Sequence, residues 1–264
     1  MFFKLKRPAA AKLDFIIAGV QKAGTTALSD LLESHPKIKM PHQDELHRTV
    51  QPARHFFDDE ERFAQTEIDY RPLQRGCVRK ADSILIGSCT PIYAYWRPAM
   101  ERIWNYNNKI KLLILLRDPA DRAFSHWNMQ RDRGLEGLDF LAAVQDEKNR
   151  ARETSSFQLR KFSYVDRGFY AEQIERVFRY FPREQVHVIK FEDFRRDARK
   201  TLDAVCGFLG VEPLKNLNNV ETGSTPYARK MTERERQYLV DLFRSDIERL
   251  ENLLGWDCSG WKKV

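Results

Sequence analysis

A glycine-containing loop between a short apolar run and a helix-forming segment is the first feature of the sequence with chemical potential. The loop reads GVQKAGTT over residues 19–26, and Thr25 or Thr26 can cap the helix that follows. In such a turn, backbone N–H groups and the positive end of the helix dipole converge, and glycines let the backbone approach a ligand closely. The loop therefore predicts a binding site for an anion such as a phosphate group.

The position of the lysine separates this loop from the loops of nucleoside triphosphatases and kinases. Those follow G-x-x-x-x-G-K-[ST], whereas here Lys22 lies inside the loop and Thr25 follows Gly24. A lysine inside the loop lies nearer to a 5′-phosphate and its leaving group than to β and γ phosphates. The apolar runs that could end in a magnesium-binding acid are followed instead by Arg117 and Ser88. A structural turn with two glycines is the alternative interpretation of the loop.

Arg117 and Ser125 form a second candidate anion site. Arg117 follows the run KLLILL, at the carboxyl end of a predicted strand, where open α/β sheets bind ligands. Asp118 and Pro119 supply the N-cap and first residue of a helix that carries Ser125 two turns later. A guanidinium binds phosphate through two hydrogen bonds, and a hydroxyl adds one more. Two neighbouring sites suit a ligand with phosphates at two positions of one ribose, although Arg117 could instead pair with a nearby aspartate.

The elements that must position these residues alternate between strands and helices. Short apolar runs predict strands, and 3.6-residue periodicity predicts helices. This alternation predicts an α/β fold with a central, mostly parallel sheet between helices, in a single domain over residues 1–264. The predicted strands are Leu13–Val20, Ile84–Gly87, Lys111–Leu116 and Gln185–Lys190, and the predicted helices are 25–34, 119–130, 168–181, 198–209 and 232–254.

The composition and net charge of the chain indicate which kinds of partner it binds. Hydrophobic residues make up 42% of the chain, which is enough for a sizeable core, and the formal net charge of +7 favours anionic partners. The basic residues are distributed along the chain and mixed with acids, which argues against a nucleic-acid-binding stripe. The apolar runs are too short to span a bilayer, so we expect no membrane insertion.

Cysteine usage and the amino terminus both favour a reducing compartment. The start of the chain lacks the continuous apolar stretch of a signal peptide. No cysteine belongs to a C-x-x-C pair, which argues against zinc and redox motifs, and scattered free thiols are typical of cytoplasmic proteins. We therefore predict a cytoplasmic protein; its cysteines are Cys77, Cys89, Cys206 and Cys258.

Taken together, these motifs resemble those of the sulfotransferases that use 3′-phosphoadenosine 5′-phosphosulfate (PAPS), particularly the branch of the heparan sulfate sulfotransferases and related bacterial enzymes. GVQKAGTT resembles the family's 5′-phosphosulfate loop, and Arg117-Asp-Pro with Ser125 resembles its 3′-phosphate site. Similarity continues through the segment from Arg167 to Phe194 and the carboxyl-terminal segment that ends near Trp261. The resemblance implies a P-loop-like three-layer fold and transfer of a sulfuryl group from PAPS to a hydroxyl or amine.

The resemblance also implies roles for individual residues. The 5′-phosphosulfate would be held by the loop, whose contributing residues are Lys22, Ala23, Gly24, Thr25 and Thr26. The 3′-phosphate would be held by Arg117 and Ser125, and the segment 222–230 would close over the nucleotide with Arg229 or Lys230 as further phosphate contacts. Lys22 would meet the charge that grows on the leaving phosphate oxygen, so no metal is required.

The residue that deprotonates the acceptor is less clearly indicated. The family has a glutamate in a pattern like M-P-x-x-K-E-x-H-F-F, and residues 40–47 (MPHQDELH) match its opening, which predicts Glu45 as the base and His47 as a second candidate. The aromatic pair of that pattern is separated from this match by residues 48–54 and falls at Phe56-Phe57. Alignment on the aromatic pair makes His55 the rival of His47 and leaves no glutamate in the expected place.

The acceptor is predicted only by class, as a glycan or small molecule. Many relatives have a lysine where Cys89 stands, so we expect an acceptor less anionic than a sulfated polysaccharide. Three other interpretations remain open at this stage: a P-loop kinase, which would need ATP and magnesium, a non-catalytic anion- or nucleic-acid-binding protein, and a catalytically inactive member of the same family. The sequence does not indicate an oligomeric state.

Overall fold

The computed structural model describes residues 12–40, 55–74, 84–153, 160–215, 227 and 229–264. At its centre is a five-stranded sheet in the order β2-β3-β1-β4-β5, in which each neighbouring pair is parallel. The predicted α/β class is therefore confirmed. The strands are β1 (Phe15–Gly19), β2 (Ile38–Lys39), β3 (Leu85–Cys89), β4 (Lys111–Leu116) and β5 (Val186–Lys190).

Helices flank this sheet and connect its strands. The five helices predicted from periodicity are confirmed as α1, α5, α7, α9 and α10, whereas α2, α3, α4, α6 and α8 were not predicted. The helices of the described residues are α1 (Thr25–Glu33), α2 (Glu60–Phe63), α3 (Arg71–Gln74), α4 (Ala99–Tyr106), α5 (Pro119–Asp132), α6 (Phe140–Glu153), α7 (Tyr170–Tyr180), α8 (Phe191–Arg196), α9 (Ala198–Leu209) and α10 (Glu233–Leu254).

The central strands are apolar on both faces because both faces are covered. Every residue of β1 is buried, and in β4 only Lys111 is partly exposed. Such continuous apolar runs are typical of parallel strands between two helical layers. The buried side chains form one cluster that extends from Leu13 to Trp261. The single-domain organisation stays a prediction.

The parallel arrangement brings four loops to one edge of the sheet. Phe15 of β1 pairs with Lys111 of β4, and Leu116 of β4 pairs with Lys190 of β5, so the carboxyl ends of these strands lie together. The glycine-containing loop, Arg117 and the start of α8 therefore meet at this edge, as does the segment after β3. No helix among the described residues combines the length and apolar character needed to cross a bilayer.

Candidate active site

The loop after β1 presents an uncapped helix end at this edge. The predicted cap by Thr25 or Thr26 is wrong: α1 begins at Thr25, and its N-cap position is Gly24, with φ 84° and no side chain that could accept a hydrogen bond. A glycine tolerates this left-handed conformation, and a Cβ added at this position would lie 2.8 Å from the ring of Phe191. The first N–H groups of α1 are therefore available to an anion.

Lys22 also has a left-handed backbone conformation, with φ 73°. Its ammonium group is partly buried, and burial, followed by the charges of Arg117 and Arg133, lowers its pKa below the ordinary value. Within the described ranges no carboxylate forms an ion pair with Lys22. The charged form of a lysine that is partly buried beside other cations is stabilised when an anionic ligand binds next to it.

Arg117 lies directly beside the loop rather than in an ion pair with its neighbours. Its Nη1 donates to the backbone oxygen of Lys22 at 3.2 Å, and its guanidinium lies 5.0 Å from the centre of the Phe191 ring. Asp118 caps α5 through the N–H of Ala120 and binds Arg236 at 2.5 Å. Arg236 also bridges to Asp121 at 2.9 Å. Both aspartates are therefore engaged elsewhere, and the alternative of an ion pair between Arg117 and an aspartate is wrong in this structure.

Ser125 is buried on α5 and lines the same cleft as Lys22 and Arg117. This cleft has a volume of about 1040 Å³ and is strongly basic. Its basic lining residues are Lys22, Arg117, Arg133, Arg160, Lys161, Arg167 and Arg195, and its acidic ones are Asp30 and Asp132. An excess of cations in a concave site strengthens the positive electrostatic potential there and favours the binding of a multiply charged anion.

We call Gln21–Thr26, Arg117 and Ser125 the loop side of the cleft, and His55, Arg160 and Lys161 its far side. The structure brings together the predicted residues of the loop side: Lys22, Gly24, Thr25, Thr26, Arg117 and Ser125 all line the cleft. Ala23 belongs to the loop but is buried in the core. The predicted roles of these residues stay predictions, because their positions show proximity and not binding.

The predicted phosphate contacts near the carboxyl-terminal helix do not line the cleft. Arg229 donates to both carboxylate oxygens of Glu235, at 2.8 and 2.6 Å, and lies over the rings of Phe124 and Trp127. Lys230 is exposed. Of the residues of this segment that the structure describes, Tyr227 lines the cleft, and it was not predicted. Arg229 and Lys230 stay predictions, with Arg229 engaged by a carboxylate.

The two predicted candidates for the base, Glu45 and His47, lie outside the described residues. His126, which follows Ser125, is fully buried and packs edge-on against Tyr164 at 4.9 Å. Burial, followed by the charge of Arg167, lowers the pKa of His126 well below its ordinary value. His126 is therefore a neutral residue of the core rather than a residue of the cleft.

Sequence reasoning missed most of the far side. His55 donates from Nδ1 to the buried carboxylate of Asp58 at 2.9 Å, and Arg160 binds the same carboxylate. Arg160 lies 102 positions after Asp58 in sequence, so no local motif joins it to the other two residues of the cluster. The only sequence signal was the alignment on Phe56-Phe57, which placed His55 in the family's histidine position.

Arg167 connects the two sides. Its Nη1 donates to Oε1 of Gln21 in the loop, whereas Nε donates to Ser163 at 2.8 Å and Nη2 to the backbone oxygen of Arg160 at 2.8 Å. The side chain is buried, and burial lowers its pKa to about 10. Among the described residues no group of three or more His, Cys, Asp or Glu side chains is arranged to hold a metal ion.

Comparison with known proteins agrees with this geometry. Residues 12–225 match the family model described as "Sulfotransferase domain". The mouse protein named heparan sulfate glucosamine 3-O-sulfotransferase 5 is 29% identical over 212 residues, which cover 80% of this chain and 57% of the mouse protein. The chain spans about half the length of the curated relatives it matches.

Solved structures show the same relationship in three dimensions. A sulfotransferase from Alicyclobacillus acidocaldarius superposes with a TM-score of 0.77 at 29% identity and covers 96% of this chain and 100% of that chain. A mouse sulfotransferase crystallised with PAP shares the fold alone, with a TM-score of 0.54, 14% identity, and coverage of 90% and 85%. The loop that follows β1, the matched family model and the bacterial structure agree, and this chain belongs to the sulfotransferase family.

Proposed function

We propose that this chain transfers the sulfuryl group of PAPS to a hydroxyl or amine of a glycan or small-molecule acceptor by in-line displacement. The observation that carries the proposal is the contact between the two predicted anion sites. Arg117 lies against the backbone of Lys22, and the aspartates that could neutralise Arg117 are bound to Arg236. Two adjacent cationic sites suit the 5′-phosphosulfate and 3′-phosphate of one nucleotide.

The residues present fit such a donor. The N–H groups at the start of α1 and the ammonium of Lys22 would hold the 5′ group, and Arg117 with Ser125 would hold the 3′-phosphate. PAPS supplies the activated sulfuryl group when it is bound. Lys22 would stabilise the charge that develops on the leaving phosphate oxygen, and a preorganised cation of this kind lowers the barrier. A mouse sulfotransferase of the same fold was crystallised with PAP, which supports a donor of this chemical class.

The acceptor class is supported by the relatives and by the cleft. The mouse relative is named for a heparan sulfate glucosamine acceptor, and a glycan or small molecule fits a cleft of about 1040 Å³. The basic far side argues for an acceptor that carries negative charge. Cys89, which stands where many relatives have a lysine, instead favours a less anionic acceptor.

A cytoplasmic location is part of the same proposal. In the described part of the chain Cys89, Cys206 and Cys258 are free thiols, as expected in a reducing compartment.

No observation favours the alternative of a P-loop kinase. A kinase would need an acidic residue for magnesium at a strand end, whereas β4 is followed by Arg117 and β3 ends at Cys89.

Calorimetric titration tests the donor site. We expect PAP to bind more tightly than ATP with magnesium, and Arg117→Ala to weaken PAP binding about 10- to 100-fold, because charge-assisted hydrogen bonds are each worth about 1.5–3 kcal/mol. Arg249→Ala is the comparison, because Arg249 pairs with Glu175 and does not line the cleft, and we expect a change below about threefold. Preference for ATP, or PAP affinity that is indifferent to Arg117, would overturn the proposal.

A further inference from the structure

Three polar side chains on one face of α5 are buried beneath the cleft. Arg122, His126 and Gln130 follow one another at intervals of four residues, so they lie on the same face of the helix. Arg122 and His126 are fully buried, and Gln130 is 1% exposed. None of them has a role in the proposed donor site. Polar groups at such depth normally have hydrogen-bond partners, so the partners of these side chains indicate what this face holds.

Arg122 has donors that no described residue accepts. Its Nη2 donates to the backbone oxygen of Tyr164, whereas Nε and Nη1 are buried and have no acceptor among the described residues. Burial lowers the pKa of this guanidinium, but arginine keeps its charge in proteins. An unpaired charge in the interior is strongly destabilising. The two unpartnered nitrogens therefore favour a negatively charged acceptor.

Glu147 of α6 is the carboxyl group whose charge acts most strongly on Arg122, but it does not bind Arg122. Its oxygens accept the N–H groups of Val165 and Asp166, at 2.6 and 2.8 Å. In the part of the chain that the structure describes, Arg122 forms no ion pair with any carboxylate. The buried guanidinium of Arg167 adds a second positive charge nearby. The surroundings of Arg122 are therefore cationic.

His126 adds a further donor beside Arg122. Neither ring nitrogen has a partner within the described ranges, and the ring packs edge-on at 4.9 Å against Tyr164, whose backbone oxygen binds Arg122. Burial, followed by the charges of Arg167 and Arg122, lowers the pKa of His126, so the imidazole is neutral and carries one N–H. Cβ atoms one helical turn apart are separated by about 5–6 Å, so both side chains can donate to one small ion.

We propose that Arg122 and His126 bind a monovalent inorganic anion of halide size, such as chloride, beneath the floor of the cleft. The guanidinium donates through Nε and Nη1, and the imidazole donates through its N–H. The ion neutralises a charge that the described carboxylates leave unpaired. Gln130, one turn further along α5, lines the cleft and marks the side from which the ion enters. The site is independent of the proposed function, because it needs neither donor nor acceptor.

The experiment locates the ion and measures its effect on the stability of the full chain. Crystals soaked in sodium bromide should show anomalous scattering from bromide between Arg122 and His126. Thermal unfolding in sodium chloride or sodium bromide is compared with sodium gluconate at equal ionic strength, because gluconate is too large for the site. At a halide concentration about ten times the Kd, we expect a Tm about 3–6 °C higher than in gluconate.

Two substitutions test the assignment of the side chains. His126→Phe keeps an aromatic ring and removes the donor, so it should reduce the halide-dependent shift in Tm by about half or more. Arg122→Met removes the charge and should abolish the shift. His187→Phe is the matched control, because His187 lies on β5, stacks on Phe208 at 5.2 Å and does not line the cleft. The control should keep the full shift.

The cleft itself attracts anions, so the measurement is repeated with Arg117→Ala, which removes a cation of the cleft and should keep the shift. Bromide found only in the cleft, or a shift lost in Arg117→Ala alone, would assign the ion to the cleft and refute the buried site. A water molecule between Arg122 and His126, with no halide-dependent shift, would also refute it. If Arg122→Met does not fold, His126→Phe decides, and an unchanged shift in that variant contradicts the proposal. None of these measurements uses PAP, so they are unaffected if the proposed function fails.

Discussion

The two sides of the cleft are built in different ways. On the loop side, each side chain lies in the loop or the first turns of the helix that follows β1 or β4, so its position follows from the sheet itself. On the far side, Arg160 reaches across 102 residues of sequence to the carboxylate of Asp58, which His55 also contacts. The loop side therefore depends on local backbone geometry, whereas the far side depends on tertiary contacts.

This difference matches the demands of the reaction. In the proposed function the donor is a nucleotide, and a loop after a strand recognises phosphates through backbone groups that most side-chain substitutions leave in place. Acceptors differ between enzymes, and a side built from side chains on separate segments can change without altering the sheet. The comparison predicts that substitutions on the loop side affect donor binding and turnover, and those on the far side affect the acceptor.

The largest expected effect is that of Lys22→Ala. Loss of the cation that meets the leaving oxygen should lower kcat about 10²- to 10³-fold, the range for removal of one preorganised group from a transition-state site. Lys161→Ala on the far side should instead raise the KM for an anionic acceptor, with a smaller change in kcat. Steady-state kinetics with PAPS measure both. Equal losses of PAP affinity in the two variants would break the distinction between the sides.

The next effect is on folding stability and tests the loop backbone. Gly24→Ala adds a Cβ at φ 84° and 2.8 Å from Phe191, whereas Gly134→Ala adds one at φ 69° with no atom within 4 Å. We expect Gly134→Ala to cost about 1–2 kcal/mol from the backbone conformation alone and Gly24→Ala about 1–3 kcal/mol more from overpacking. Denaturant unfolding measures both. Equal losses would show that Phe191 moves aside freely and that the loop is less constrained than the structure indicates.

The sequence predicted the loop side better than the far side for a physical reason. Apolar runs located β1, β3, β4 and β5, because a strand buried on both faces has a local signature. The two residues of β2 are too few to form one. Lys22, Arg117 and Ser125 follow strand ends, and parallel strands bring such ends together whatever the rest of the chain does.

The parts that were not predicted depend on distant partners. In the sequence, Arg229 suits an exposed loop and Glu235 suits a solvated helix. Nothing nearby therefore indicates that Arg229 donates to the carboxylate of Glu235. The capping box of Thr232 and Glu235 was visible only as a helix start. Arg167 was noticed as part of a resemblance, but its contacts with Gln21 and Ser163 require the folded structure.

A smaller effect is a pH dependence of stability at a buried carboxyl group beneath the cleft. Glu147 of α6 accepts the N–H groups of Val165 and Asp166, at 2.6 and 2.8 Å, next to Arg167. Burial raises its pKa to about 7 against an ordinary value of 4.5. The folded state therefore holds the proton more tightly than the unfolded state. Stability from this group is present below about pH 4.5 and is lost as the pH rises through about 7.

The expected loss between pH 5 and pH 8 is about 1–3 kcal/mol in the free energy of unfolding, measured with denaturant at each pH. Glu147→Gln cannot ionise and should show a smaller difference between the two pH values. Other titrating groups affect both proteins alike, so the comparison isolates Glu147. An identical pH dependence in the variant would mean that Glu147 is ionised at no cost in the folded state.

The smallest expected effect concerns Gln21, through which Arg167 joins the two sides. Gln21→Ala removes the acceptor of Nη1, but Arg167 lines the cleft and water can replace the lost partner, so stability should fall by about 1 kcal/mol. Gln21→Glu keeps the shape and converts the hydrogen bond from the guanidinium into an ion pair, so stability should rise by about 1 kcal/mol. The same carboxylate adds a negative charge beside Lys22 and should weaken PAP binding about fivefold. In Gln21→Glu the melting temperature should therefore rise while the affinity for PAP, measured by calorimetry, falls. If both quantities change in the same direction, the contact with Arg167 serves the donor site directly.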